Sequence, residues 1–354
     1  MTAEAGIAAT VRGRGLRSAI VPVGSTLLGM VFLLNVGIGA VPIAPGEVLA
    51  IIGDRLGLET GTRFTEAQAS VLWSIRLPRT LLALVIGAGL AVAGAGLQGI
   101  FRNPLAEPAI IGVSSGAGLG AALGIVVGAG AVGPLGIAGG AFVGGTVAAA
   151  ATFLASRYQG RTDVVTLILA GVAVAAIAGA GTGLLTFLAD DDQLRTIVFW
   201  LLGSVAGASW SSVFVTLGLV SIGVAVILAQ GRNLDLMLLG EAEARHLGVQ
   251  PELTRAAVIA AAALATAATV AAAGVIGFVG LVAPHVVRLM SGPRHRTLLP
   301  AAALTGMILM GGADLLSRVV VAPIELPIGV VTAVVGGPFF LFLIRSTRAG
   351  RVLS

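Results

Sequence analysis

The hydrophobic positions of this chain form long, nearly unbroken runs separated by short polar segments. A helix needs about 20 apolar residues to cross a hydrocarbon core roughly 30 Å thick, and it satisfies its own backbone hydrogen bonds there. A membrane β-barrel would alternate apolar and polar residues instead. The pattern predicts an all-α integral membrane protein with ten transmembrane helices, at residues 18–40, 77–100, 109–128, 133–156, 164–188, 210–230, 254–273, 277–291, 298–318 and 327–345.

Two apolar runs are shorter than a membrane-crossing helix. The run at 197–206 is expected to lie at the outer face or to re-enter the membrane, and the span at 277–291 is also short. Non-helical backbone at membrane depth has to be covered by protein or to line a cavity. We therefore expect short re-entrant or outer helices beside the spans, in one transmembrane domain at 18–345 with tails at 1–17 and 346–354.

The longest polar stretch in mid-chain runs over residues 232–255 and could not lie in a lipid core. Within it, residues 241–247 are predicted to form a short helix that ends before a glycine and a proline. Acidic residues stand at its positive N-terminal end and basic residues at its negative C-terminal end, and Glu241 with Arg245 forms an i,i+4 pair. A helix this short is marginal in water, so it needs a partner to pack against.

Composition agrees with a membrane protein and limits its chemistry. Only 10% of the residues are charged, with a mean hydropathy of +1.04, whereas globular domains carry about 25% charged residues. The chain has no cysteine and three histidines without clustered carboxylates, so we expect no metal site. All 21 basic residues are arginine. A phosphate-binding loop requires a lysine, so we expect no enzymatic activity and no cofactor in this chain, and any ATP hydrolysis must come from a partner.

The arginines are distributed unevenly over the predicted loops. With the N-terminus inside, 15 fall in the cytoplasm and 6 outside, at positions 55, 63, 76, 79, 195 and 318. This is the positive-inside bias of multi-pass proteins, so the pI of 11.2 does not indicate nucleic-acid binding. The first apolar run is longer than the apolar region of a cleaved signal sequence, which has about 7–15 residues. We expect an uncleaved first span and both termini in the cytoplasm.

Small and polar residues inside the spans have competing interpretations. Glycine recurs every four residues at 112–128 and 136–144, which favours close helix packing, with a smooth translocation path as the alternative. Asp314 is a carboxylate within a span, and such residues are functional candidates, but the spacing to Arg318 favours a structural i,i+4 pair. His285 follows a proline and is predicted to form a hydrogen bond near a helix start.

Five motifs, in this order, together resemble one known family. They are Leu-Pro-Arg at 77–79, Arg-Asn-Pro-Leu-Ala-Glu-Pro at 102–108, Leu-Gly-Glu-Ala-Glu-Ala-Arg-His-Leu-Gly at 239–248, Gly-Phe-Val-Gly-Leu-Val-Ala-Pro-His at 277–285 and Glu-Leu-Pro-Ile-Gly at 325–329. The chain resembles the FecCD family, the permease subunits of binding-protein-dependent importers for iron–siderophore complexes, haem and cobalamin. The resemblance covers about residues 76–345.

The resemblance implies a fold like that of the cobalamin importer's permease, a type II ABC importer, in the bacterial plasma (inner) membrane. It implies a homodimer or a pair with a close paralogue, a pair of cytoplasmic ABC ATPases that hold ATP and magnesium, and a substrate-binding protein outside. Inward transport of a metal chelate, most commonly an iron–siderophore complex, is the implied function. The alternative is an ion-coupled secondary transporter or channel, which typically needs intramembrane acids, and the predicted spans hold almost none besides Asp314.

The family's functional residues carry over onto matching positions of this chain. The ATPase coupling helix is implied at Leu239, Gly240, Glu241, Ala242, Glu243, Ala244, Arg245, His246, Leu247 and Gly248. Docking of the binding protein is implied at Arg76, Arg79 and Arg318. A cytoplasmic gate is implied at Asn103, Leu105, Val164 and Val165, although the cobalamin permease has small hydroxyl residues where the two valines align.

Overall fold

The computed structural model describes residues 3–58, 61–128 and 133–352, and this part of the chain is almost entirely helical. The predicted all-α fold is confirmed. The helices are α1 (Ala3–Gly37), α2 (Pro45–Arg55), α3 (Glu66–Val71), α4 (Leu77–Phe101), α5 (Val113–Gly128), α6 (Gly133–Ala155), α7 (Val164–Leu188), α8 (Asp191–Leu202), α9 (Trp210–Ala229), α10 (Gly231–Met237), α11 (Glu241–His246), α12 (Pro251–Ala273), α13 (Val279–Ser291), α14 (His295–Val319) and α15 (Ile328–Val352).

Three smaller elements connect these helices. A π-helical turn at Leu72–Arg76 joins α3 to α4, and a 3₁₀ turn at Pro108–Ile111 precedes α5. An antiparallel hairpin of two-residue strands, Arg157–Tyr158 and Arg161–Thr162, joins α6 to α7. The hairpin reverses the chain within a few residues, and α7 packs beside α6.

Seven helices in the described residues are long and apolar enough to cross a membrane, and α5, α13 and α15 supply shorter apolar helices. Each of these lies within or over a predicted span. The third span begins at residue 113 and not at 109, because the 3₁₀ turn ends at Gly112 with a φ of +77° and interrupts the helix. α1 and α15 continue through most of the residues predicted to be tails.

The bundle is organised around α4, which is buried along almost its whole length. An apolar helix with no polar face belongs in the interior of a bundle, and the Ala and Gly residues of α4 let α9, α12, α13 and α14 approach it from several sides. An added Cβ at Gly87 would overlap the Gly306 carbonyl group of α14, and one at Gly94 would overlap the Gly280 carbonyl group of α13. The core therefore rests on close backbone contacts.

The predicted glycine stripes pack α5 against α6. An added Cβ at Gly116 would lie 2.5 Å from the Gly144 carbonyl oxygen, and one at Gly140 would lie 2.5 Å from the Gly120 carbonyl oxygen. These distances leave no room for a side chain at the crossing. These glycines therefore support the interpretation that the stripes serve close helix packing. The same kind of close backbone contact surrounds α4.

We expect Gly140→Ala to destabilise the bundle by about 1–3 kcal/mol, the usual cost of overpacking a well-packed core. The extra methyl group would force α5 and α6 apart at Gly120. Gly139→Ala is the matched control, because an added Cβ at Gly139 meets no atom within 4 Å. Thermal unfolding of the detergent-solubilised variants measures the difference, and equal melting temperatures for the two variants would contradict the packing interpretation.

Candidate functional site

Two short helices lie at one end of the bundle, which we call the α11 end. α11 has its acidic residues in the first turn and its basic residues in the last, as the helix dipole favours. The side chains of Glu241 and Arg245 are 3.8 Å apart, which confirms the predicted i,i+4 pair. Leu247 is the C-cap, and Gly248 follows with a φ of +83°. The predicted helix at 241–247 is therefore present and ends one residue earlier.

The last residues of the polar segment predicted at 232–255 belong to α12. Pro251 is the first residue of α12, where the missing N–H of proline is not needed. Arg255 is buried in the next turn, donates to Glu252 at 2.5 Å and also pairs with Glu241 of α11. A buried arginine therefore ties α11 to α12.

Glu252 extends this network to the hairpin that precedes α7. Its second carboxylate oxygen accepts a hydrogen bond from the backbone N–H of Thr162 at 2.8 Å. We call Glu241, Arg255, Glu252 and the Thr162 N–H the α11 network. Through it, a displacement of α11 reaches both the start of α12 and the start of α7.

Two further contacts hold α10 to the bundle. Arg102, the left-handed C-cap of α4, donates to the Met237 carbonyl oxygen at 2.8 Å. Asp235 accepts hydrogen bonds from the backbone N–H groups of His295 and Arg296 at the start of α14. The His295 Nδ1 atom lies 3.2 Å from the same carboxylate. The α11 end is thus linked to α4, α7, α12 and α14.

The coupling residues predicted at 239–248 divide into a buried and an exposed side. Ala244 is buried in the main hydrophobic core. Leu239 and Leu247 are 64% and 53% exposed, with an exposed alanine at 242 between them. The rest of the described chain does not cover these leucines or the charged side chains beside them. The exposed side of α11 is therefore the part available to a partner.

Arg76, one of three arginines predicted to dock a binding protein, lies at the opposite end of the bundle, which we call the Arg79 end. Its Nη1 atom donates to the carbonyl oxygens of Val36 and Gly37 at 2.6 and 2.9 Å, and its Nη2 atom donates to that of Val41. The last carbonyl groups of a helix have no partner within it. Arg76 therefore caps α1 and is itself buried.

The other two arginines share Asp314. Arg79 Nε lies 2.8 Å from Asp314 Oδ1, and its Nη1 lies 2.8 Å from Glu325 Oε2. The predicted pair of Asp314 with Arg318 is present at 3.4 Å, and Arg318 also donates to Asn35 Oδ1 at 2.6 Å. All three predicted docking guanidinium groups are turned inward onto groups of the protein itself. Glu325, with its side chain 45% exposed, is the accessible member of the cluster.

The predicted gate residues lie on two elements at the α11 end. Asn103 Oδ1 accepts a hydrogen bond from the Leu105 N–H at 3.0 Å, an Asx turn that starts the re-entrant segment. Val164 packs against the core cluster that contains Ala106, whereas Val165 is 64% exposed. The segment after α4 and the start of α7 therefore contact the same hydrophobic cluster. Their role as a gate stays a prediction.

α7 begins at residue 164, as predicted, because Asp163 caps it. The carboxylate accepts hydrogen bonds from the hydroxyl group and the backbone N–H of Thr166, both at 2.7 Å. These contacts favour the ionised form and hold the pKa of Asp163 below its ordinary value. The start of α7, and with it the position of Val165, is therefore well defined.

Glu107 was assigned no role by the sequence, yet the structure places it halfway along the bundle. It lines a cavity of 130 Å³ with Leu90, near the middle of α4, and Thr266, in the second half of α12. Residues 102–112 leave the end of α4 and turn back into the bundle before α5 begins. The available signal was the length of α5, whose 16 residues are too few for a full crossing.

The expectation for His285 is wrong. His285 lies inside α13 and not at a helix start, and both of its ring nitrogens are buried without a hydrogen-bond partner. Its ring meets the edge of Phe339, with the centroids 6.3 Å apart. The described residues contain no group of three or more His, Cys, Asp or Glu side chains that could hold a metal ion.

Comparison with known proteins shows the family of this chain. The model of the FecCD transport family matches residues 27–346. The chain belongs to the FecCD transport family. Members of this family are the membrane-spanning permeases of ABC importers, so the chain is a multi-pass transport component of the inner membrane, and ATP hydrolysis belongs to a partner ATPase.

Two related sequences and one solved structure show how far the similarity extends. The haemin transport system permease protein HmuU of Yersinia pestis is 42% identical over 84% of this chain and 90% of its own length. The cobalamin import system permease protein BtuC of Halobacterium salinarum is 40% identical over 95% of this chain and 88% of its own length. A solved structure described as an inward-facing conformation of a metal-chelate type ABC transporter covers 93% of this chain and 99% of its own, with 33% identity and a TM-score of 0.82.

Proposed function

We propose that this FecCD permease imports a metal chelate, with an iron–siderophore complex as cargo. The relatives named for haemin and cobalamin and the metal-chelate type structure support a metal-bearing macrocycle or chelate. The observation that carries the proposal is the exposed side of α11, a rigidly anchored apolar surface on a polar helix at one end of the bundle. An ATP-driven importer needs such a surface, because this chain must receive mechanical work from another protein.

In this proposal the α11 end is cytoplasmic and binds one subunit of the ATPase pair. Leu239 and Leu247 would fill an apolar groove on the ATPase, while Glu243 and Arg245 lie at its polar rim. The α11 network would pass the movement of α11 to α7 and α12. The residues predicted as a gate stand next to these helix ends, which supports their opening when α7 moves.

We further propose that two copies of the chain pair through α7. Gly179 and Gly183 are spaced as in a small-xxx-small packing motif, and an added Cβ at either position meets no atom within 4 Å. Among the described residues of α7, those buried within the chain are Leu167, Gly171 and Ala178. The remaining surface of this helix is therefore available to a second permease, with the transport path between the copies.

The Arg79 end then faces outward and docks the substrate-binding protein. In the isolated chain Arg79 is occupied by Asp314 and by the half-exposed Glu325. A carboxylate of the binding protein could replace Glu325 as the second partner of Arg79 without unpairing Asp314. Docking by exchange of carboxylates agrees with the inward orientation of the guanidinium groups.

The experiment that tests the coupling surface is substitution of Leu247. We expect Leu247→Asn to weaken association with the ATPase about tenfold, which corresponds to about 1.4 kcal/mol, and to lower ATP-driven uptake in proteoliposomes. Leu247→Met is the matched control, because it keeps an apolar side chain of similar size. If both variants support the same uptake as the unmodified protein, the proposed role of α11 in coupling is contradicted.

The same proteoliposomes separate this function from an ion-coupled carrier. The observation that favours a carrier is the carboxylate of Glu107, which lines a cavity beside the middle of α4. Uptake that requires the ATPase and ATP supports the ABC importer. Uptake by the permease alone under an imposed ion gradient would support the carrier.

A further inference from the structure

Helix α2 carries an apolar flank that the rest of the described chain does not cover. Leu49 and Leu56 are 67% and 72% exposed, and their spacing of seven residues places them on one side of the helix, which we call the leucine flank. Glu47 and Asp54 have the same spacing and form an acidic flank roughly 160° away, at about 100° per residue. Val48, between the two flanks, is buried in a cluster with the end of α1 and the start of α4.

The contact between the acidic flank and α3 orients α2 relative to the membrane. α3, the π-helical turn and α4 form one continuous helix of 36 residues, from Glu66 to Phe101. At 1.5 Å per residue it is about 54 Å long, so it exceeds a hydrocarbon core of about 30 Å. Its charged residues, Glu66, Arg76 and Arg79, lie near its first end, and α3 therefore extends beyond the core on that side.

Glu47 is directed toward this extension. Its Oε2 atom accepts a hydrogen bond from Gln68 Nε2 of α3 at 3.0 Å. The acidic flank of α2 therefore faces away from the membrane. Because the leucine flank lies on nearly the opposite side of the helix, it faces back toward the hydrocarbon core.

Aromatic residues mark the level of the membrane surface beside α2. Trp210, the first residue of α9, packs on Trp73 with the ring centroids 5.2 Å apart, and its Nε1 atom donates to the Trp73 carbonyl oxygen at 2.9 Å. The guanidinium carbon of Arg55, the last residue of α2, lies 5.5 Å from the centroid of the Trp73 ring. Tryptophan is enriched where a membrane meets water, and arginine extends from there to the lipid headgroups. α2 therefore lies at the membrane surface.

The leucine flank is separate from the face proposed for pairing of the permeases. α7 packs against α5 and α6, whereas α2 packs on α1. α1 is an apolar membrane-crossing helix that is mostly exposed. Pairing through α7 therefore leaves lipid beside both α1 and α2.

We propose that the leucine flank of α2 binds the acyl chains of outer-leaflet phospholipids and anchors this segment in the membrane surface. Amphipathic helices that lie in the interface bury their apolar side about 5–10 Å into the boundary between headgroups and acyl chains. The anchor bears on Arg76, because the link between α1 and α2 contains Val41, whose carbonyl oxygen accepts a hydrogen bond from Arg76. The inference goes beyond the proposed function and takes from it only the orientation that makes this leaflet the outer one.

The test measures the depth of α2 by electron paramagnetic resonance of single nitroxide labels. The chain has no cysteine, so Leu49→Cys, Leu56→Cys and the matched control Asp54→Cys each carry one label. The labelled permease is assembled with its ATPase in liposomes of phosphatidylethanolamine and phosphatidylglycerol. Collisions of the label with oxygen, which concentrates in lipid, are compared with collisions with a water-soluble nickel chelate.

The labels at 49 and 56 are expected to collide more with oxygen than with the nickel chelate, at a depth of about 5–10 Å. The label at 54 is expected to show the opposite preference, because the acidic flank faces water. ATP hydrolysis by each labelled importer reports whether the complex is intact, and Leu56→Cys provides a second site on the leucine flank if Leu49→Cys does not assemble.

Three results would overturn the inference. A preference for the nickel chelate at 49 and 56 would place the leucine flank in water, and exclusion of both reagents would show that protein covers it. Loss of oxygen contact on addition of the binding protein would identify that protein as the occupant. Failure of the proposed function is distinguishable, because the depth is measured without ATP or cargo, whereas that failure appears as absent ATP-dependent uptake by the unmodified importer.

Discussion

Replacing Arg79 by glutamine is expected to destabilise the folded permease by about 3–5 kcal/mol, the usual cost of removing one partner from a buried ion pair. Asp314 has a fully buried side chain and would keep only Arg318, at 3.4 Å. Part of the loss also comes from the contact between α4 and α14, the two helices that this pair joins. Thermal unfolding and yield of the detergent-solubilised protein measure the effect.

Glu325→Gln is the control for this prediction. It removes the half-exposed partner of Arg79, and solvent-exposed ion pairs contribute only about 0–1 kcal/mol. The double variant Arg79→Gln with Asp314→Asn should lose less stability than the sum of the single variants, because it leaves no unpaired carboxylate. A melting temperature for Arg79→Gln equal to that of Glu325→Gln would show that the buried pair is not structural.

Replacing Arg255 by glutamine is expected to uncouple ATP hydrolysis from transport by at least about tenfold, equivalent to about 1.4 kcal/mol. The substitution removes the side chain that joins Glu241 of α11 to Glu252 of α12, and Glu252 in turn holds the hairpin before α7. The two carboxylates are partly exposed and can be hydrated, so the fold should survive. The measurement is the ratio of chelate imported to ATP hydrolysed.

Arg245→Gln is the matched control on the same surface. Arg245 is exposed and lies 3.8 Å from Glu241, so its removal should change the coupling ratio by less than about twofold, in line with the small energy of exposed pairs. Arg255→Lys should recover only part of the coupling, because an ammonium group cannot bridge two carboxylates with a planar fork. A normal ratio for Arg255→Gln would mean that α11 transmits its movement without the α11 network.

Much of the membrane architecture could be predicted because its signals are local. The length of an apolar run decides whether a helix can span a membrane, and this placed a predicted span on each of the ten long or short apolar helices of the described residues, although α1 and α15 extend well beyond their predicted spans. Capping and charge placement located α11, and the pairing of Glu241 with Arg245 follows from helical spacing alone. Local rules failed at His285. The preceding proline, Pro284, was interpreted as the start of a helix, but it lies inside α13.

The sequence by itself therefore determined the helical membrane fold, the family and the position of α11. The tertiary structure alone decided that Arg79 pairs with Asp314, which is 235 positions away, that Arg255 joins α11 to α12, and that Glu107 lines a cavity beside the middle of α4. These contacts depend on which helices pack together and on where a re-entrant segment turns back. No local pattern encodes them, because a side chain's partner is set by the packing of distant elements and not by its neighbours in the chain.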